Sequence, residues 1–255
     1  MGQPAATIGI ASAFVPFRDT LAGHATLRYA ADCSHRLGVP LHVQYLASQQ
    51  GTDGVEDCRV RARVVEVLGN RPSIVSYTLE GDRYGGLPRA ALVVDAALAR
   101  RRVDAWVVAP QMEHSVQSRG DGPMCIPLGN DESGSYASLV GIPIARALGV
   151  PVRFYHTTWK NSAVASADPR EHMAADAREV LATAERRADV QRVPYRTVVE
   201  MADGVAEGVI RAALRERCCA IITARGRGTG RGSYVDQLID ESPIPVWTAP
   251  RAVAL

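Results

Sequence analysis

Residues 220–242 read AIITARGRGTGRGSYVDQLIDES, and the succession of residue types in this stretch organises the reading of the whole chain. Ala220, Ile221, Ile222 and Thr223 make a short apolar run with two β-branched isoleucines, the length of one buried strand. It breaks into Gly226, Gly228, Gly230 and Gly232, interleaved with Arg225, Arg227 and Arg231. Ser233 then stands at a helix N-cap position, and Val235, Leu238 and Ile239 recur at helical spacing up to Pro243. A strand, a basic glycine-rich loop and a helix start form an anion cradle. Glycines let backbone N–H groups approach a ligand, the helix end adds partial positive charge, and arginines fork onto phosphate oxygens. The competing reading is a solvated basic loop that holds no ligand.

Working outward from this stretch, the chain alternates strands and helices. Thr7–Ala11 is the first expected strand, followed by a loop carrying Phe14, Pro16 and Phe17. Helices are expected over 20–37, 55–68 and 87–102, and strands at Pro40–Leu46, Ser73–Leu79 and Ala105–Ala109. The polar, turn-rich run through residue 123 reads as a linker, taken as 113–123. The pattern then restarts: strands at Met124–Leu128, Pro151–Thr157, Tyr195–Met201, Ala220–Thr223 and Pro245–Thr248, with helices at Gly134–Leu148, Pro169–Ala188 and Val205–Arg217. Such alternation predicts mainly parallel sheets with helices on their faces.

The two halves also match in sequence. LGVPLHVQYL at 37–46 aligns with LGVPVRFYHT at 148–157, an offset of 111. RRRVDAWVVA at 100–109 aligns with RERCCAIITA at 215–224, an offset of 115. Two separate matches at nearly one offset indicate duplication of an α/β unit. The units are read as 1–112 and 124–255, the first lacking the last helix and strand of the second.

IPLGNDESGSYASLVGIPIARALGVPV (126–152) and GRGTGRGSYVDQLIDESPIPV (226–246) resemble the opening and closing segments of the universal stress protein family. The resemblance covers nearly all of the second half and the first half through four strands. It implies two tandem Rossmann-like, three-layer α/β/α units with mainly parallel sheets, an ATP-type or related adenine-nucleotide site, and dimeric packing. The family's nucleotide pattern, G-x-x-G-x9-G-[ST], is altered. Its first glycine falls on Thr223, Gly226 matches the second, and Gly232–Ser233 match the final pair, with only 227–231 between. The family's acidic residue at the end of the first strand aligns with Gly129, and in the first half that place falls near Ala11. The resemblance therefore implies phosphate over Arg225, Gly226, Arg227, Gly228, Gly230, Arg231, Gly232 and Ser233. The adenosine would lie along Leu128, Gly129 and Asn130 and against Val152.

Composition narrows the remaining classes. With 47% hydrophobic and 22% charged residues, the 255-residue chain can bury a core. A net charge of +2 argues against nucleic acid as partner, and no run reaches membrane-spanning length. Five cysteines without CxxC, together with an N-terminus lacking a signal-peptide pattern, point to reduced thiols in the cytoplasm. The six histidines show no metal-ligand spacing, so no metal is expected beyond magnesium carried by a nucleotide. His156 reads as a hydrogen-bonded core residue, and Ser133 and Ser135 as helix-capping groups. No general base is placed near the loop, so at most weak ATP hydrolysis is expected. A stress-type regulatory protein binding a phosphate ligand thus stands beside a ligand-free scaffold of the same fold. Because only the second half carries a last strand, that strand is expected at an exposed edge, pairing with its copy in a homodimer.

Overall fold

The computed structural model of the chain describes residues 12–17, 21–46, 62–69, 74–80, 105–108, 121–129, 132–159, 173, 175–224 and 234–249. The expected helix over 87–102, the glycine-rich loop 225–233, Asn130 and Cys58 lie outside them. Nine strands among the described residues form one sheet. They are β1 (Ser12–Phe17), β2 (Leu41–Leu46), β3 (Ile74–Glu80), β4 (Ala105–Val108), β5 (Met124–Pro127), β6 (Val152–Trp159), β7 (Tyr195–Ala202), β8 (Ala220–Ala224) and β9 (Val246–Ala249). The helices are α1 (Leu21–Leu37), α2 (Glu132–Leu148), α3 (Ala175–Gln191), α4 (Val205–Arg215) and α5 (Tyr234–Glu241). Residues 62–68 are also helical.

The first strand corrects the sequence reading. It is Ser12–Phe17, so Phe14, Pro16 and Phe17 belong to a strand and not to a loop, while 7–11 lie outside the described residues. Pro16 suggests a break because proline brings no N–H to a ladder. The geometry removes that objection. Ala13 donates its N–H to Pro40 O on the β2 side, and alternation turns the nitrogen of Pro16 toward β4. Pairing with β4 ends at Phe14↔Val107, so no donor is missed.

The strand order is β3-β2-β1-β4-β9-β8-β5-β6-β7, with every neighbouring pair parallel except β4–β9. Strands β1–β4 therefore run opposite to β5–β9, and their carboxyl ends open at opposite edges of the sheet. The two arms keep the offset of 111 seen in the sequence. Ala13↔Leu41 becomes Met124↔Val152, α1 becomes α2, and Pro16 becomes Pro127. Even the helix ends repeat. Gly38 and Gly149 are left-handed at φ 66° and 64°, and Val39 N and Val150 N bond back to Ser34 O and Ala145 O.

Side chains pack on both faces of the sheet. On one lie α1, α2, α3 and the helical residues 62–68, over Val15, Phe17, Met124, Ile126, Phe154, Ile222 and Trp247. On the other, α4 and α5 cover Cys125, Tyr155, Ile221 and Val246. Strands β5, β8 and β9 are buried along their whole length, which is why they read as continuous apolar runs without alternation.

The expected exposed edge at the last strand is not there. β9 is parallel to β8 on one side and antiparallel to β4 on the other, with Val107↔Thr248 and Val108↔Trp247 in register. Trp247 is fully buried and meets the ring of Tyr29 edge-on at 6.5 Å. A homodimer pairing this strand with its copy is thereby corrected. Among the described residues the first unit offers four strands, and its fourth fills the place and covers the edge within one chain.

Candidate ligand site in the second unit

In a parallel sheet the crevice for a ligand lies outside the carboxyl ends of the two strands where the winding direction reverses. In the second unit these strands are β5 and β8, since β6 and β7 extend to one side and β9 to the other. Their ladder is short, running Met124↔Ala220 and Cys125↔Ile221 and no further. Pro127 explains the stop. Met124 N and Leu128 N both bond toward β6, to Pro151 O at 2.9 Å and Tyr155 O at 2.8 Å. Residue 127 therefore faces β8, and proline supplies no N–H there. The paired register thus ends at Cys125, short of the end of β5, with Leu128–Gly129 and Thr223–Ala224 beyond it at the carboxyl ends of the two strands.

The floor of this crevice is held from three sides. Leu128 N donates to Tyr155 O, and Leu128 O accepts from Nδ1 of buried His156 at 2.7 Å. Acceptance by a carbonyl places the imidazole proton on Nδ1. From the third side α2 comes down so closely that a Cβ on Gly134 would lie 2.7 Å from Gly129 N and 3.2 Å from Leu128 Cα. Above, Arg187 of α3 donates through Nη1 to Ser135 O at 3.0 Å and Ser138 Oγ at 2.9 Å, locking α3 onto the first turns of α2. Burial lowers the pKa of that guanidinium.

At the β8 side, Thr223 is fully buried and its Oγ1 lies 3.5 Å from the hydroxyl of Tyr234, the first residue of α5. Residues 225–233 connect these two points in the sequence and lie outside the described residues, as does Asn130. Of the residues expected along an adenosine, Leu128 and Gly129 are together at the crevice. Val152 is not with them. It opens β6 beside Met124, at the amino end of the sheet, four residues before His156. The segment of β6 that reaches Leu128 is Tyr155–His156, as the register of Pro127 with Tyr155 requires. The signal for this is the repeated proline, VPF in the first half and IPL in the second, which stands in the last two residues of each first strand.

Two charged clusters of the second unit are paired internally. Glu216 pairs with Arg153 at 3.2 Å and with Arg196 at 3.7 Å, and Glu200 pairs with Arg215 and reaches Tyr155 Oη at 3.5 Å. Desolvation raises the Tyr155 pKa. Among the described residues no group of three His, Cys, Asp or Glu side chains could hold a metal ion, and no helix is long and apolar enough to cross a membrane.

Solved structures align with nearly the whole chain. A universal stress protein from Archaeoglobus fulgidus matches at TM-score 0.60 and 13% identity, covering 94% of this chain and 98% of its own. A protein of unknown function from Pseudomonas aeruginosa matches at TM-score 0.56 and 14% identity, covering 96% and 94%. No protein-family model matches the sequence, and no curated protein does. At such identities the likeness is one of fold. The chain has the universal stress protein fold, a Rossmann-like α/β arrangement built on a mainly parallel sheet.

Proposed function

We propose that this chain is a universal-stress-type regulatory protein of the cytoplasm, whose second unit binds an adenine nucleotide or another phosphate-bearing ligand. The units are 1–112 and 124–255, joined by 113–123. What carries the reading is the early end of the β5–β8 ladder at Pro127, at the topological switch point beside which a basic, glycine-rich sequence leaves β8. The phosphate end is taken by Arg225–Ser233, with three arginines as counter-charges. The nucleoside end lies along Leu128, Gly129 and Asn130, with His156 behind Leu128 in place of Val152. Magnesium enters only with the nucleotide.

Isothermal titration with ATP, ADP and AMP tests this. Wild type binds at least one, Arg227→Ala weakens it by roughly 1–3 kcal/mol as for a charge-assisted contact, and Gly232→Val removes the close backbone approach. A wild type that binds none of the three supports a ligand-free scaffold instead. Equal affinity in wild type and both variants would move the ligand away from the loop.

A further inference from the structure

We propose that the hydroxyls of Thr223, Tyr234 and Thr248 form an oxyanion subsite at the carboxyl ends of β8 and β9, with Thr248 its innermost donor. The inference rests on the phosphate reading of the second unit and adds a residue from β9, the strand on the far side of β8 from the crevice. Thr223 and Thr248 are direct partners across the β8–β9 ladder. Alternation along each strand puts both on one face. Ile221 and Val246, two residues earlier, lie in the core under α4 and α5, whereas Ile222 and Trp247 lie in the opposite core. The face they share is the one α5 covers, and the Thr223 hydroxyl reaches Tyr234 at the first turn of that eight-residue helix.

Thr248 is fully buried, and its Oγ1 has no hydrogen-bond partner. A desolvated hydroxyl without a partner is a standing cost, and valine would fill the same space without it. Here the orphan lies beside a second buried hydroxyl, at the end of the sheet to which the amides of the α5 amino terminus are directed. Asp236, in the same turn, is two residues beyond Tyr234 and so about 200° around the helix, on its other flank. The other orphan hydroxyls among the described residues lie elsewhere: Thr26, Tyr29 and Ser34 on α1 of the first unit, and Thr157 on β6, which β5 separates from β8.

The test is Thr248→Val, with Thr248→Ser as the restoring change, titrated with AMP, ATP, inorganic phosphate and adenosine while thermal midpoints are recorded. The expected result is phosphate-probe affinity reduced about tenfold in the valine variant, retained by serine, with a midpoint equal to or above wild type. Adenosine, lacking phosphate, is unaffected by either change. Unchanged phosphate affinity in Thr248→Val overturns the inference and leaves the wider reading intact. A fall in midpoint accompanying the loss of affinity also overturns it, because the hydroxyl then serves the fold. Wild type binding no phosphate probe overturns both.

Discussion

At the scale of single residues, the crevice depends on how closely Gly134 approaches Gly129. A Cβ there meets backbone atoms at 2.7 and 3.1 Å, and backbone at the end of a strand cannot swing aside as a side-chain tip can. Gly134→Ala should therefore destabilise by about 1–3 kcal/mol, read as a lower urea midpoint at unchanged m-value. Gly141 contrasts with it, since its nearest neighbour is the terminal methyl of Ile126 at 2.6 Å, which can rotate. The buried thiols add a pH dependence. Burial pushes Cys33 and Cys219 up from 9.0 to about 12 and raises Tyr29 as well, while Cys125 is raised first by its hydrogen bond with Cys218 and then by burial. A folded pKa above the unfolded one means the native state holds the proton longer. The stabilisation is complete below pH 9 and is lost as pH rises toward about 12. The slope is at most roughly 1.4 kcal/mol per pH unit per thiol. Urea midpoints measured from pH 8 upward should fall, and fall less steeply in Cys33→Ala/Cys219→Ala. An equal slope in that variant would assign the alkaline loss to other groups.

At the scale of elements, four helices end in the same way but with different residues. α1 and α2 place Gly38 and Gly149 in the left-handed position, whereas α3 and α4 place Arg192 at φ 56° and Arg217 at φ 53°. The bonds closing each end are alike, with Val193 N to Ala188 O at 2.9 Å and Cys218 N to Ala213 O at 2.8 Å. Left-handed backbone costs a residue with a Cβ about 1–2 kcal/mol, and glycine's extra freedom in the unfolded chain returns only a fraction of this. Arg192→Gly should thus raise stability by roughly 0.5 kcal/mol, while Gly149→Ala should lower it by about 1 kcal/mol. Thermal unfolding of the pair checks the sign, and a lower midpoint for Arg192→Gly would contradict the account. Helix ends of this kind are legible where the sequence writes LGVP, and not where it writes QRVP or ERCC.

At the scale of the whole molecule, the two units share one sheet because β4 closes against β9. The contact is short in register, so much of its strength comes from what it buries. Trp247 sits between the units, under Tyr29 of α1, in one core with Leu27, Ala30 and Cys33 of the first unit and Ile222 of the second. Trp247→Ala should cost about 3–5 kcal/mol, and the loss should appear in probes of both units at the same denaturant concentration. A variant that unfolds one unit while the other keeps its wild-type midpoint would show the seam to be only a tether.

Periodicity alone determines most of the described strands and helices, because a buried parallel strand must be apolar throughout and a helix on a sheet must repeat its apolar face. The duplication and its offset are legible for the same reason, since both copies bury the same faces. The first strand is misplaced by a local reading because proline within a strand looks like a break until its neighbours show which way its nitrogen faces. Val152 falls wrongly beside the crevice because sequence proximity to LGVP does not say which end of a strand meets Gly129. The fate of β9 is decided only in three dimensions. An unpaired edge can be met by another chain or by an earlier segment of its own, and which occurs depends on whether β4 can reach it, a matter of topology that no local pattern records.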